Sequence, residues 1–565
     1  MAFQISPGVN VSEIDLTTVV PAVSTTAGGY AGQFQWGPVG KRRLITNETG
    51  LVSTFGAPDS NTATSFFSAA NFLAYGNNLQ VVRAANTSSY NSVSGGSPVQ
   101  IASEDTYDVS YASDSSSVAF IARYPGALGN SLKVSINTAN TTLNASATFA
   151  NWQYKGNFSA APNTSSYVAS AGGAYDQMHV IVIDEDGLFS NGQKNTVLEV
   201  FPYLSKAVDG KNDDGSPSYY RTVLRNQSRY VYALGPTDYA NTSATWGTTA
   251  AGTSFQGVSV GATVSLSGGT TKAVQDGDVS TAWDVLANPD VVDVSLLVAG
   301  DASTTIQQKV IDTAVARKDC VAFVSPPSTV ITSATPDSVV STWASSTLGR
   351  ETSYAVADSG WKYQFDKYNN AYRWIPLNGD IAGLCVNTDK VADPWYSPAG
   401  ATRGAIRNVV KLAWNPTQAQ RDTIYAVGVN PVVSMPGQGT ILYGDKTLVT
   451  QPTAFGRINV RRLFIVLEKA ISNAAKFSLF ELNDEFTRAQ FIALVEPFLR
   501  DVKGRRGIYD YRVVCDTTNN TPQVIDSNQF VGDIYIKPAR SINYIQLNFI
   551  AVRSGVSFNE IVGAV

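Results

Sequence analysis

Apolar and polar positions alternate most regularly near the end of the chain. In the segment beginning at Ser541 (SINYIQLNFIAVRSG), Ile545, Leu547, Phe549 and Ala551 fall on one side, and Tyr544, Gln546 and Asn548 on the other. A period of two predicts a β-strand, and at about 3.3 Å per residue Ile542 to Arg553 spans roughly 40 Å. Just before it, Gly532 to Pro538 (GDIYIKP) predicts another strand, stopped by its proline. Only twelve residues follow Arg553, so the last strand must pair backwards or with another molecule. A long apolar terminal strand is an aggregation hazard unless assembly is its purpose, which makes polymerisation the first expectation.

Upstream, the pattern changes character several times. Residues 1–22 predict an extended arm: Pro7-Gly8 turns, Val9 and Val11 share a face, and Ile5, Ile14 and Leu16 extend the apolar set. Residues 23–85 mix short strands and turns with a helix from Thr64 to Tyr75. Residues 86–175 hold only seven charged side chains among many Ser, Thr, Asn, Gly and Ala, and predict a β-rich, turn-rich insertion. Residues 176–280 continue with HVIVID, TVLEVF, RYVYA and ATVSLSG, and predict a second β-rich insertion domain.

From 281 to 506 the pattern is α/β. A helical turn near Trp283 precedes DVVDVSLLVAG, an apolar run expected to be a strand buried on both faces. Asp301 or Ser303 caps a helix from Thr305 to Arg317, and CVAFVS follows as the next strand, making a right-handed β-α-β unit. Asn415-Pro416 starts another helix, with Asn415 as cap. Two long helices come next. Arg457 to Lys476 carries a stripe of Leu463, Leu467, Ile471 and Ala474. Asp484 to Lys503 is capped by Asn483, buries Phe486, Ile492, Val495 and Leu499, and stops at Gly504. Pro497 inside the second predicts a kink. Residues 507–565 form a last unit ending in the terminal strand.

Composition narrows the chemistry. With 565 residues, 44% hydrophobic and 15% charged, the chain buries sizeable cores and predicts several domains. A net charge of -4 argues against a general nucleic-acid binder. Cys320, Cys385 and Cys515 are far apart and read as buried hydrophobes in a reducing compartment. No signal-peptide pattern and no membrane-spanning run is present. The single histidine, His179, sits in the apolar strand MHVIVID and reads as structural.

The motifs that mimic ligand sites fail on spacing. In GTILYGDKT (Gly439 to Thr447), Asp445 separates Gly444 from Lys446-Thr447 and breaks the phosphate-loop pattern. Gly300, after the apolar strand DVVDVSLLVAG, stands alone without GxGxxG. An EF-type loop from Asp184 needs glutamate at 195, where Asn195 stands, so DEDG reads as a strand-ending turn. No metal, cofactor or catalytic residue is expected. Lys503, Arg505 and Arg506 form the one charge cluster with a plausible partner; the alternative is a solvated cap on the helix C-terminus.

Several stretches together resemble the tail sheath proteins of contractile-tailed bacteriophages, in their large multi-insert form. They are SPGVNVSEIDLT (Ser6 to Thr17), VIVIDEDGLF (Val180 to Phe189), IPLNGDIAGLCVNTD (Ile375 to Asp389), PWYSPAGATRGAI (Pro394 to Ile406), GVNPVVSMPGQGTILYGDKTL (Gly428 to Leu448) and most of Gly507 to Ala551. The resemblance implies an α+β multidomain chain: an α/β core made from the N-terminal segment and the C-terminal half, inserted β-rich domains, and extended terminal strand arms. It implies a structural subunit forming six-membered rings stacked helically around a tail tube, which contracts to drive the tube through the host envelope. Partners would be further copies, the tube, the baseplate and the tail terminator. The location would be the virion, after assembly in host cytoplasm. The arms (Ile5, Val9, Val11, Ile14 and Leu16; Ile542, Tyr544, Ile545, Leu547, Phe549 and Arg553) would add strands to neighbours, and Lys503, Arg505 and Arg506 would face the tube. Two alternatives remain: a sheath of a phage-derived injection device, distinguished by its gene neighbourhood, and a β-rich receptor-binding virion protein, which would need neither the α/β body nor two arms.

Overall fold

The computed structural model describes residues 24–112, 119–139, 145–235, 245–258, 262–543 and 546. Of the expected arm positions, Ile5, Val9, Val11, Ile14, Leu16, Tyr544, Ile545, Leu547, Phe549 and Arg553 lie outside these. The fold is a mixed α/β assembly of several sheets. Its strands in chain order are β1 (Gly28–Gln33), β2 (Arg42–Ile45) and β3 (Leu79–Ala84), then β4 (Phe120–Ala122), β5 (Leu132–Thr138), β6 (Gln177–Asp184), β7 (Thr196–Ser205), β8 (Val231–Ala233) and β9 (Ala262–Ser265). The second half supplies β10 (Leu296–Val298), β11 (Val321–Val324), β12 (Ala355–Asp358), β13 (Trp361–Asp366), β14 (Ala371–Pro376), β15 (Lys411–Leu412), β16 (Val429–Asn430), β17 (Val432–Met435) and β18 (Gly439–Leu442). The last two are β19 (Ile508–Val514) and β20 (Asp533–Pro538).

The largest sheet runs β16-β12-β11-β10-β1-β3-β2 and is parallel except for β2. It joins residues 28–84 to residues 296–430, with Tyr30 level with both Val81 and Val298. Successive residues face opposite sides: Tyr30, Val81, Val298 and Phe323 enter one apolar core, and Ala31, Val82, Leu297 and Ala322 the other. Both faces are therefore covered, the usual condition of a parallel sheet. On one face the helices Ala63–Leu73 and Asn378–Val391 pack closely. A Cβ at Gly379 would lie 2.4 Å from the Ser68 carbonyl oxygen, so glycine sets that approach.

The β-α-β unit forms as expected. Ser303 is the cap, its Oγ accepting from Ile306 N at 3.3 Å, and the helix runs Thr304–Arg317. The strand expected over DVVDVSLLVAG contracts to Leu296–Val298. Val291 is exposed, and the Val292 carbonyl accepts instead from the buried Arg317 guanidinium at 2.8 Å. Asn415 does not cap the next helix. Thr417 and Gln420 form its capping box, while Asn415 bonds both N and O of Ser434 in β17. The helix Glu48–Phe55, capped by Asn47, has no counterpart in the expected elements.

Between β3 and β10, β5 pairs with β6 across seven residues, and the sheet β7-β6-β5-β9 crosses the division expected at 175/176. Residues 86–175 and 176–280 thus share one antiparallel sheet. The earlier stretch contributes only β4 and β5 among its described residues, because its hydroxyls serve turns and caps instead: Ser103 and Ser165 each cap a short helix. Arg83, buried in β3, ties this insertion to the body, donating to Phe34, Gly37, Gln35 and Pro125 carbonyls at 2.7–3.2 Å.

The C-terminal unit rests on two helices, Ile458–Ala475 and Glu485–Gly504. The stripe Leu463, Leu467, Ile471 and Ala474 is buried as expected. Asp484, not Asn483, caps the second helix, since its Oδ1 accepts from Thr487 N at 2.8 Å; Asn483 donates instead to the Gln529 carbonyl. That helix buries Phe491, Val495, Leu499 and Val502, whereas Phe486 is exposed and Ile492 only partly covered. The shift follows from the helix turning its buried stripe toward β19 and β20.

Candidate assembly site

β19 and β20 form a two-stranded antiparallel sheet. One face, with Tyr511, Val513, Ile534 and Ile536, packs on Leu499, Val495 and Phe491. Among the described residues each strand has its outer edge unpaired. Two strands alone are marginal in water, and an unpaired edge is a template for a further strand.

The chain leaves β20 at Pro538 and meets a buried carboxylate. Asp445 is 3% exposed, and its Oδ2 accepts from Ser541 Oγ at 2.7 Å and from Ser397 Oγ at 2.9 Å. Its Oδ1 accepts from Arg457 Nη1 at 2.8 Å. Arg457 also donates to the Tyr425 hydroxyl at 2.6 Å, and the Asn543 amide reaches that hydroxyl at 3.2 Å. Turned so that both ends are satisfied, the Asn543 amide places its Oδ1 2.7 Å from Arg457 Nη1. Burial, and then the Asp445 charge, push the Tyr425 phenol pKa up, so it stays a proton donor. Ser541 and Asn543 are thus pinned to the body, whereas Ile542 between them is 82% exposed. No described residue of 541–543 belongs to a strand of its own chain.

This clamp explains the GDKT sequence. Ile441 and Leu442 are buried in β18, Asp445 holds Arg457 and Ser541, and Lys446 Nζ donates to the Tyr425 carbonyl at 2.7 Å. Neither charged group faces a phosphate loop. Gly300 is closed likewise, its N and O both bonded to the buried Asn378 amide at 3.0 and 2.9 Å. Asp184 ends β6 as a turn: its carboxylate accepts from the backbone N of Gly187, Leu188, Phe189 and Ser190. His179 uses both ring nitrogens, with the Ala160 carbonyl at 2.9 Å and Tyr203 N at 3.1 Å. Burial pulls its pKa down. Cys320, Cys385 and Cys515 are free and buried. Among the described residues no cluster of His, Cys, Asp and Glu is placed to hold a metal.

The basic cluster divides into three roles. Lys503 pairs with Asp510 at 2.9 Å, bracing the helix end against β19. Arg505 pairs with Asp393, lies 5.1 Å over Trp395, and accepts from its indole N through the backbone carbonyl at 3.0 Å. Arg506, not Gly504, takes the left-handed conformation (φ 65°) that ends the helix, and makes no ion pair among the described residues. Lys503 and Arg506 line a cleft of about 820 Å³ with Arg403, Arg540 and Tyr509, beside the clamp. Sequence reasoning missed the clamp because its members lie far apart in the chain. The one available signal was Asp445 itself, a carboxylate flanked by an apolar strand.

Comparison with known proteins agrees along the whole chain. Residues 25–84 match the tail sheath protein Gp18 domain III N-terminal region, 272–448 the phage tail sheath protein central domain, and 450–551 the phage tail sheath C-terminal domain. The tail sheath protein of Enterobacteria phage T4 is 33% identical, with 99% of each chain covered. That of Vibrio phage KVP40 is 34% identical, covering 99% of this chain and all of the other. Among solved structures, the sheath tail protein of Listeria innocua superposes with a TM-score of 0.53 at 10% identity, over 91% of this chain and 95% of that one. The helical sheath of the anti-feeding prophage in its contracted state gives 0.51 at 12%, over 97% and 99%. These two carry the fold, and the full-length relatives carry the family: the chain belongs to the phage tail sheath proteins.

Proposed function

We propose that this chain, a structural subunit of a contractile tail sheath, is linked to its neighbours by strands added to the open edges of β19 and β20. The observation that carries the reading is a two-stranded sheet with both outer edges unpaired among the described residues, set beside a chain end pinned at Ser541 and Asn543. The strands come from residues 1–22 and 541–565 of neighbouring copies. Ile5, Val9, Val11, Ile14 and Leu16 supply the first arm. Ile542, Tyr544, Ile545, Leu547, Phe549 and Arg553 supply the second. Backbone bonds of this kind survive large movements of the bodies they link, because they depend little on side-chain packing.

In this reading the subunits form six-membered rings stacked helically around a tail tube, between baseplate and terminator. The body (residues 23–85 with 281–506) lies near the tube and the insertion 86–280 points outward. Contraction draws on the free-energy difference between two packings of nearly rigid subunits, without nucleotide. The subunits assemble in host cytoplasm and function in the virion. Full-length likeness to phage tail sheath proteins at 33–34% favours a phage tail over a related contractile device.

Lys503, Arg505 and Arg506 are the proposed tube contact; Lys503 and Arg505 also pair with Asp510 and Asp393, and Arg506 makes no ion pair among the described residues. Arg506→Glu should weaken co-assembly with tube at moderate salt and leave folding intact. The main test is truncation: chains lacking residues 1–16 or 541–565 should remain soluble and form no long tubes by negative-stain microscopy. Normal tubes from both truncations overturn the arm reading.

A further inference from the structure

Strand β13 is built inside out. Lys362, Gln364 and Asp366 point into the protein, and Tyr363 and Phe365 point out. The inward groups are all partnered: Lys362 with Asp380 at 2.9 Å, Gln364 with Asn71 at 2.9 Å, and Asp366 with Arg373 at 2.8 Å. Partnering limits the cost of burying polar groups but does not explain the aromatic exterior. On β14, Tyr372 lies opposite Phe365 and Trp374 opposite Tyr363, giving four neighbouring rings with centroids 4.7–5.4 Å apart. Phe365, Tyr372 and Trp374 are 38–52% exposed. Beside them opens a groove of about 470 Å³, walled by Phe67, Ala70, Leu73, Phe365 and Val410.

A second apolar surface is convex. The turn between the two long helices carries Phe477, Leu479, Phe480 and Leu482, with Phe486 just beyond, each more than 60% exposed. Phe480 is fully exposed and left-handed (φ 70°), a conformation that costs a bulky side chain energy. Neither surface is covered by the described residues of its own copy, and contiguous apolar patches of this kind mark interaction sites.

Charge is complementary between the two. The turn carries Glu481, Asp484 and Glu485 against Lys476, and the aromatic face carries Lys367 and Lys411 against Glu48, with Arg373 on the inward side of β14 beside Asp366. Lys367 already pairs with Glu48, which leaves Lys411, seated over Tyr363 and Trp374, as the principal open cation among the described residues of that face. A convex patch meeting a different, concave patch on a second copy is a heterologous contact, the kind that propagates rings and helices.

We propose that the 477–486 turn of one copy seats on the aromatic face and groove (Tyr363, Phe365, Tyr372, Trp374, Val410) of another, with Glu481 against Lys411. This rests on the polymeric sheath reading and adds a side-chain contact to the backbone links of the arms.

The test uses the full-length chain carrying Val410→Cys and Phe480→Cys, assembled and treated with a short bismaleimide. The native cysteines are buried, so labelling falls on the introduced pair. The expected result is a ladder of subunit multiples on a denaturing gel, absent with Val410→Cys alone and no longer than a dimer with Phe480→Cys alone. Tubes of normal appearance without a ladder overturn this contact and leave the sheath reading standing. Failure of the unaltered chain to form tubes overturns the sheath reading instead. Should the double variant not assemble, charge exchange decides. Lys411→Glu should raise the protein concentration needed for tubes about tenfold, and adding Glu481→Lys should restore it. An unchanged threshold, or no restoration, overturns the proposal.

Discussion

The seven-stranded sheet of the body and the two-stranded sheet of the C-terminal unit use strands in opposite ways. In the first, β10, β11 and β12 are wholly buried, helices cover both faces, and strands from residues 28–84 and 296–430 meet in one layer. In the second, only one face is packed and each strand has an unpaired outer edge among the described residues. The body sheet has both faces covered by its own helices, while the C-terminal sheet is completed, in the proposed reading, by its neighbours. A contractile lattice needs both: a unit that moves without deforming, and a joint whose bonds outlast the movement.

Substitutions can separate the two. The largest effect is expected from Asp380→Ala, which leaves Lys362 buried without its carboxylate and should cost about 3–5 kcal/mol of stability. Thermal unfolding would read it, with assembly lost because the body is lost. Asp445→Ala should cost about 2–3 kcal/mol, the worth of hydrogen bonds to a charged group. It should free Ser541 and Asn543 and abolish long tubes in a subunit that still unfolds cooperatively. If tubes persist, the clamp has no part in assembly.

A third prediction concerns pH. Burial raises the Asp358 pKa from 3.8 to about 8. The folded body therefore holds a proton there that the unfolded chain releases above about pH 4. The resulting stability is fully present below the unfolded value and is lost as pH rises toward 8. Asp358→Asn should flatten this fall in unfolding midpoint between about pH 4 and 8. An unchanged slope would show that Asp358 ionises freely in the folded state. The smallest effect is expected from Phe486→Ser, within about 0.5 kcal/mol because the ring is exposed, whereas Leu499→Ala on the same helix should cost about 2–5 kcal/mol.

The elements whose periodicity is strong were legible from sequence. The β-α-β unit, with its first strand shortened to Leu296–Val298, the stripe Leu463-Leu467-Ile471-Ala474 and strand 533–538 all form where the pattern placed them. What was not legible depends on tertiary partners. Asp484 takes the cap from its neighbour Asn483 because Asn483 is drawn to the Gln529 carbonyl. The two insertions share a sheet because β5 meets β6, a pairing no local pattern encodes. The role of Asp445 needed Ser397, Tyr425, Arg457 and Ser541 brought together from separate segments. Strand β13 was not read from sequence either, since its inward Lys362, Gln364 and Asp366 are placed by Asp380, Asn71 and Arg373.

Backbone amide hydrogen exchange across Ile508–Val514 and Asp533–Pro538, compared between free subunits and assembled sheath, bears most directly on the proposed strand addition. Outer-edge amides of both strands should exchange readily in the free subunit and become strongly protected on assembly, while β10 to β12 stay protected in both. Equal exchange at β19 and β20 in the two states would contradict it.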